Sequence, residues 1–419
     1  MSEEKKTTRK KTPKMPKKPV IEYLENPATG VPDPQMGIKY DWNLIRKAYK
    51  SLGCPDDVYD PTVMPLEIAK YFHLASSRSV GKTTNILLLG MCMHELYGTQ
   101  LVYIRQHESA IERKYLDSST GLFTAIKTWN YASKITDGRW NSVEYYARVW
   151  RYVNRDDTGK IIEKCPTSFM TCVSIDQTEQ LRSTFSATNA DYIIVDELIS
   201  KDYRFDPPEF IDLCQLIKTI IRDRLSPIII TLFNNFDIYS PWLREFDIKD
   251  AFAPMSEGEN AMVKTRKGTP MYCEFIGALN KARPFVNSAY FGFDNALITS
   301  ITGGGGWAIE PCPRIFRDET REILQKRIYI VHQDNILELE ICKNDSVGLH
   351  ICVHHARKIM DDALVIYTVE APRKPREVYG FGHRRPIDDI VWGLFQKNLW
   401  YFADEDCAAI TNCYWAEAK

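Results

Sequence analysis

Nine consecutive residues, Ser76-Ser77-Arg78-Ser79-Val80-Gly81-Lys82-Thr83-Thr84, carry the chemistry most directly legible in this sequence. They follow the apolar run Tyr71 to Ala75 and open a helical stretch from Thr83 to Tyr97 that Gly98 ends. A loop of small residues between a buried strand and a helix start turns backbone N–H groups toward one point. The helix dipole adds partial positive charge there, so the segment suits phosphate. Lys82 would bring a point charge to the β- and γ-phosphates, and the Thr83 hydroxyl would ligate Mg²⁺. Ser76 stands where such loops usually carry their first glycine.

A second constellation lies at Ile193-Ile194-Val195-Asp196-Glu197, an apolar strand ending on adjacent acids. Asp196 would reach the Mg²⁺ through its water shell, and Glu197 would polarise an attacking water as general base. The two motifs, in this order and on these elements, describe ATP hydrolysis. Thr231-Leu232-Phe233-Asn234 closes the next buried strand. The C-terminal ends of strands in a parallel sheet face the ligand, so Asn234 could orient the lytic water; asparagine at a strand end is also ordinary turn chemistry. Arg222-Asp223-Arg224 closes the helix ahead of that strand. It reads either as a helix end complementing the macrodipole or as a trans-acting arginine, with Arg222 ahead of Arg224.

The elements that must position these residues alternate apolar strand, helix and apolar strand from about residue 70, the pattern of an α/β protein with a buried parallel sheet. Leu101 to Arg105, Ser168 to Ile175, Tyr192 to Val195 and Ile228 to Leu232 are the further strands, and Glu209 to Arg224 is a helix. A hairpin runs from Tyr145 to Val153 and returns through Ile161 and Ile162. Ahead of the first strand, Asp41 caps a helix with Trp42, Ile45 and Tyr49 on one stripe. Segment 58–70 leads into the phosphate loop and is the expected side for the base. Residues 251–270 are polar and patternless and read as a linker. From 271 to 419 the chain reads as a smaller mixed domain, with strands such as Ile336 to Ile341 and Leu349 to Val353 and a closing apolar helix from Ile390 to Phe402. Gly303 to Gly306 is a loop.

Composition narrows the class. The net charge of -1 advertises no polyanion, yet residues 1–20 hold eight Lys and Arg (Lys5 to Lys18) against Glu3 and Glu4. With Pro13, Pro16 and Pro19 interleaved, this reads as a disordered basic arm, either a phosphate-contacting tail or a solvated terminus. No apolar run follows it as in a secretory signal, and none approaches the ~20 residues of a membrane span. The 11 cysteines form no CxxC pair, which suits reduced thiols in a cytoplasm. His350, Cys352 and His354 would share one face of a strand near Cys342 and His355. Their spacing matches no standard zinc finger, and the segment is read as a half-buried strand.

Ser76 to Thr84 resembles the phosphate loop of phage terminase large subunits, where an arginine stands inside the loop and the first glycine is often missing; Arg78 matches that arginine. Tyr103-Ile104-Arg105, Arg222-Asp223-Arg224 and Pro241-Trp242 extend the resemblance toward the DNA-encapsidation ATPases of small podoviruses across residues 70–250. The resemblance implies a RecA-like P-loop ATPase domain over residues 21–250 and a smaller RNase H-like α+β domain over 271–419 that contacts nucleic acid without cutting it. It implies ATP and Mg²⁺ as cofactors. It further implies a homo-oligomeric ring, a pentamer, at the procapsid portal in the host cytoplasm, moving double-stranded DNA, with a packaging RNA as a further partner.

Three rivals stay open: a terminase with an active C-terminal nuclease, a P-loop phosphotransferase, and a non-enzymatic scaffold. Two stretches are candidates for gripping DNA phosphates. One is Arg139, Arg148, Arg151 and Arg155 among Trp140, Tyr145, Tyr146, Trp150 and Tyr152, which reads equally as a solvated hairpin. The other is Arg373-Lys374, Arg376 and Arg384-Arg385.

Overall fold

The computed structural model describes residues 14–76, 80–185, 189–198, 207–234, 240–265, 267–277, 322–345, 347–380, 385–397 and 399–418. Ser77, Arg78 and Ser79 of the phosphate loop, the arm up to residue 13, Gly303 to Gly306 and Arg384 lie outside them. The chain divides into two compact units. The first takes in residues up to Leu198, then Ile211–Phe233 and the segment from Gly258 to Lys281.

The first unit is built on a ten-stranded sheet among the described residues. In chain order its strands are β1 (Tyr71–Ser76), β2 (Gln100–Arg105), β3 (Ser142–Tyr146), β4 (Val149–Arg155), β5 (Ile161–Lys164), β6 (Met170–Ser174), β7 (Ala190–Asp196), β8 (Ile228–Asn234), β9 (Asn260–Lys264) and β10 (Pro270–Ile276). The spatial order is β3-β4-β6-β2-β7-β8-β1-β10-β9, with β5 on β4. The pairs β6–β2, β2–β7, β7–β8 and β1–β10 are parallel. Parallel strands need crossovers that cover both faces, so they read as unbroken apolar runs. Accordingly, every residue of β7 is buried.

Helix α1 (Trp42–Ser51) is capped by the Asp41 carboxylate, which accepts from Leu44 N at 3.1 Å. Helix α2 (Lys82–Tyr97) is buried almost all round, which explains why its sequence is apolar on every side. It lies close on the sheet at Gly90, where a Cβ would fall 2.7 Å from Leu101 Cδ2 and 2.8 Å from Tyr192. Their shared core includes Ile86, Leu89, Leu101, Tyr192 and Ile230. Each fully buried aliphatic side chain there contributes roughly 1.5–3 kcal/mol.

Three sequence expectations change. Residues 251–270, read as a linker, contain β9, and β10 begins at Pro270 and completes the first unit's sheet beside β1. Strand β9 is only five residues long and lies at the edge, so it presents no run long enough to read. Helix α3 (Pro207–Ile221) stops at Ile221, and Arg222 turns left-handed at φ 54°. The apolar stretch from Ile390 to Phe402 is two elements, helix α4 (Pro386–Gln396) and strand β16 (Trp400–Phe402).

The second unit holds a six-stranded sheet among the described residues, order β15-β14-β11-β12-β13-β16. Its other strands are β11 (Glu322–His332), β12 (Asn335–Asn344), β13 (Gly348–His355), β14 (Val365–Thr368) and β15 (Glu377–Tyr379). Strands β11, β12 and β13 run antiparallel; β14 is parallel to β11, and β15 to β14. Helices α4 and α5 (Glu405–Glu417) supply Val391, Leu394, Ile410, Tyr414 and Trp415 to a core with Ile328, Ile330, Leu339 and Val353.

Candidate functional site

Strand order puts the two motifs of the sequence side by side. Strand β1 delivers Ser76, β7 delivers Asp196, and β8 lies between them. Gly81 caps α2 at φ 77°, a left-handed conformation glycine adopts without strain, and a Cβ there would meet Val58 Cβ at 3.0 Å. The loop is braced from outside. Tyr49 of α1 donates to Asn85 Oδ1 at 2.6 Å, and Asn85 donates to Gly81 O at 2.9 Å. The Tyr59 amide donates to Val80 O at 2.9 Å.

Lys82, only 8% exposed, donates to Ser76 Oγ and to Phe233 O, each at 2.9 Å. Thr83 Oγ1 lies 3.4 Å from Asp196 Oδ2, and Tyr103 donates to that same oxygen at 2.7 Å. Burial, then the Asp196 charge, push the Tyr103 phenol well above its usual pKa, so it remains a donor. Arg105 Nη1 reaches Tyr103 OH at 3.2 Å, and Arg105 Nη2 forms an ion pair with Glu197 Oε2. Burial alone would loosen the Arg105 proton, but Tyr103, Asp196 and Glu197 together hold it more firmly than usual.

Glu197 has φ 58°, a conformation that costs a non-glycine residue on the order of 1–3 kcal/mol. Its amide donates to Leu232 O at 2.9 Å, fixing the turn against β8. Asn234 ends β8 one residue beyond the carbonyl that receives Lys82. A cleft of about 610 Å³ opens beside Thr83, Thr84, Asp196 and Glu197. Tyr103, Arg105, Tyr115, Leu116 and Leu122 also line it. Ligand pockets typically measure about 300–1,000 Å³. The hydroxyl–carboxylate pair of Thr83 and Asp196 offers the hard oxygen donors that Mg²⁺ prefers.

The two arginines at the end of α3 part company. Arg222 is exposed, its Nη2 3.4 Å from Phe185 O. Arg224, read with it as a candidate trans-acting group, is instead tied within its own unit. Its side chain, 9% exposed, forms an ion pair with Asp191 Oδ1 at 2.7 Å and donates to Ala190 O at 3.0 Å. Asp191 also accepts from Tyr40 and Ser226. Withdrawing Arg224 toward another subunit would strand a buried carboxylate, so this residue leaves the candidate site.

The hairpin proposed for DNA is largely structural. Tyr145, Trp150 and Tyr152 are buried, while Arg139 pairs with Glu95 and Arg148 with Glu108. In the second unit Arg385 pairs with Asp388 at 3.0 Å and Arg373 with Glu370 at 3.5 Å. In sequence Tyr103 and Arg105 read only as part of a motif, yet both touch the residues that end the acidic strand. Their i, i+2 spacing on β2, directly beside β7, was the available signal. The Phe233 carbonyl and the Tyr115–Leu122 lining leave no side-chain signature to read.

The fold and site thus define a mixed α/β, sheet-rich protein in which a buried lysine opens the helix after β1 and paired acids stand at the end of β7, with β8 between the two strands. No protein-family profile and no curated protein matches the sequence. Among solved structures, the chain is similar to the bacteriophage Phi-29 viral genome packaging motor assembly, at 14% identity and TM-score 0.50, covering 87% of this chain and 100% of that one. The Phi-28 gp11 DNA packaging motor matches at 16% identity and TM-score 0.49, over 87% of this chain and 99% of that chain. The large terminase ATPase domain of Thermus phage P74-26 matches at 16% identity and TM-score 0.33, over 62% of this chain and 97% of that one. The resemblance to phage DNA-packaging ATPases read from the motifs therefore holds at the level of fold.

Proposed function

We propose that this chain is an ATP-driven motor that moves double-stranded DNA into a viral procapsid, working as a ring of identical subunits at the portal. The observation that carries the reading is the meeting of Thr83, Asp196, Tyr103, Arg105 and Glu197 around one cleft, with the buried Lys82 next to Thr83 at the start of α2. The β2-β7-β8-β1 order, with one strand between the loop strand and the acidic strand, supports a RecA-like ATPase unit. Segment 58–70 begins against the loop, through Val58 and Tyr59, and is the side on which the base would sit.

Lys82, already desolvated, exchanges Ser76 and Phe233 O for phosphate oxygens. Thr83 and Asp196 would hold Mg²⁺, which when bound neutralises charge on the β- and γ-phosphates. Glu197 takes the proton of the attacking water, and Asn234 orients that water. While Arg105 holds Glu197 Oε2, that oxygen is not free to receive the water's proton, so nucleotide or DNA must loosen this pair for hydrolysis. The exposed Arg222 is left as the trans-acting arginine, with Arg78 as the arginine of the loop.

For the second unit, a three-stranded antiparallel meander followed by two parallel strands supports an RNase H-like reading. The adjacent strands β11 and β14 bring no carboxylate together, since Gln325 to His332 and Val365 to Thr368 contain none. This favours a non-cutting domain over an active nuclease. The decisive experiment is phosphate release with and without linear double-stranded DNA, beside Glu197→Gln. DNA stimulation that the substitution abolishes supports the motor. Hydrolysis indifferent to DNA, or absent in every condition, counts against it.

A further inference from the structure

The second unit's sheet has two unlike faces along β12 and β13. Alternation sends Leu337, Leu339, Ile341, Ile351 and Val353 into the helix-covered core. The other face of the same strands carries Glu338, Glu340, Cys342, His350, Cys352 and His354. Cys342 stands directly opposite His350, and Glu340 opposite Cys352. The two sulfurs and an imidazole nitrogen of Cys342, Cys352 and His350 lie within 4.8 Å of one another, and all three residues are buried.

We propose that Cys342, His350 and Cys352 bind a divalent transition metal, zinc foremost. Two thiolates and one imidazole form a donor set that selects zinc over hard cations such as Mg²⁺. Metal–sulfur bonds of about 2.3 Å and metal–nitrogen bonds of about 2.0 Å place tetrahedral donors roughly 3.5–3.8 Å apart. Closing from 4.8 Å takes only small side-chain rotations on a ladder that backbone hydrogen bonds already fix.

His350 is prepared for this role. Its Nδ1 lies 2.9 Å from Gly348 O, and a proton donated there leaves Nε2 as the ligand atom. Metal-binding histidines are commonly oriented by such a carbonyl. The Tyr401 ring meets the imidazole edge-on at 5.5 Å and steadies it. Buried cysteines alone would be small apolar filler, but a fully buried imidazole between two of them is not. Glu340, the cross-strand neighbour of Cys352, has its carboxylate 3.4 Å from His354 Nε2, so the donor set is the two thiols and the imidazole. A second trio, His355, Asp404 and Cys407, differs: Asp404 is engaged as the cap of α5, accepting from Cys407 N at 2.8 Å.

The test uses the full chain, purified without chelator, with metal content measured before and after exchange into Co²⁺. The expected result is about one metal per chain and a thiolate-to-cobalt charge-transfer band. Cys342→Ser with Cys352→Ser should lower the retained metal at least ~10-fold, while Cys413→Ser, at another buried thiol of the same unit, should leave it unchanged. A cobalt-loaded wild-type chain without a thiolate band overturns the proposal, even if the double variant fails to fold. Metal retained in a folded double variant overturns it equally.

Discussion

Replacing Tyr103 with phenylalanine removes one oxygen from a buried position and leaves the ring packing intact. That oxygen donates to Asp196 Oδ2 at 2.7 Å and accepts from Arg105 at 3.2 Å. A hydrogen bond to a charged group contributes about 1.5–3 kcal/mol, which corresponds to roughly 10–150-fold in an equilibrium constant. Two effects oppose each other. Losing the donor leaves a lone pair of Asp196 Oδ2 unengaged, which favours a cation. It also frees that carboxylate to turn and leaves Arg105 without its hydroxyl partner, so the guanidinium competes for Asp196. Loss of such an orienting contact behind a metal ligand typically costs about 10–100-fold in affinity, so the second effect wins. In a phosphate-release assay at saturating ATP, Tyr103→Phe should need about 10–100-fold more Mg²⁺ for half-maximal rate. The maximal rate should change little, because Glu197 is untouched. An Mg²⁺ dependence equal to wild type, in a variant with unchanged thermal stability, would refute the role given to Asp196 and to the hydroxyl that orients it.

Other substitutions separate roles within the same unit. Arg105→Gln should raise hydrolysis without DNA and shrink the stimulation by DNA, since Glu197 loses the cation that holds it; a fall in both rates would mean that Arg105 assists the reaction. Arg224→Ala should destabilise the protein by about 3–5 kcal/mol in denaturant melts, because Asp191 stays buried without its cation. Arg222→Ala should leave those melts unchanged and lower only DNA-stimulated hydrolysis; full activity would remove its trans-acting role. Burial lowers the His73 pKa to about 3, while Thr231 Oγ1 lies 2.7 Å from its Nδ1. With an unfolded-state value of about 6.5, the unfolded chain binds the extra proton below that pH. The His73 contribution is therefore complete above about 6.5 and declines as pH falls toward 3, by up to about 1.4 kcal/mol per unit. Stability of His73→Asn should fall less steeply over that window, and parallel curves would show that His73 does not titrate there.

The phosphate loop and the acidic strand were legible because their chemistry is local. Each lies on one apolar strand, and the turn residues follow within a few positions. The neighbours that tune them were harder to read. Lys82 finds a backbone carbonyl at Phe233, a contact with no side-chain identity, across 151 residues of chain. Sequence puts Arg222 ahead of Arg224 as the trans-acting candidate, but the buried Asp191 that ties Arg224 into its own unit has no local signal. Strand β9 escaped notice because an edge strand with every second residue exposed resembles a polar loop. Tyr103 and Arg105 were visible as a pattern, but their partners on β7 depend on strand order, which no local periodicity encodes.

The pairing of β1 with β10 has a consequence for how the chain is made. Tyr71 is in register with Met271, so the strand leading into the phosphate loop acquires its outer neighbour only after some two hundred further residues have been synthesised. Until then β1 is a bare edge, with amides and carbonyls free to pair with another chain. A fragment ended at residue 250, where composition alone suggests a boundary, would keep every catalytic candidate and still expose that edge. A fragment carried through Ile276 covers it. The smallest piece of this protein that stays monomeric and binds nucleotide should therefore reach past β10, and a nascent chain shorter than that should depend on chaperones.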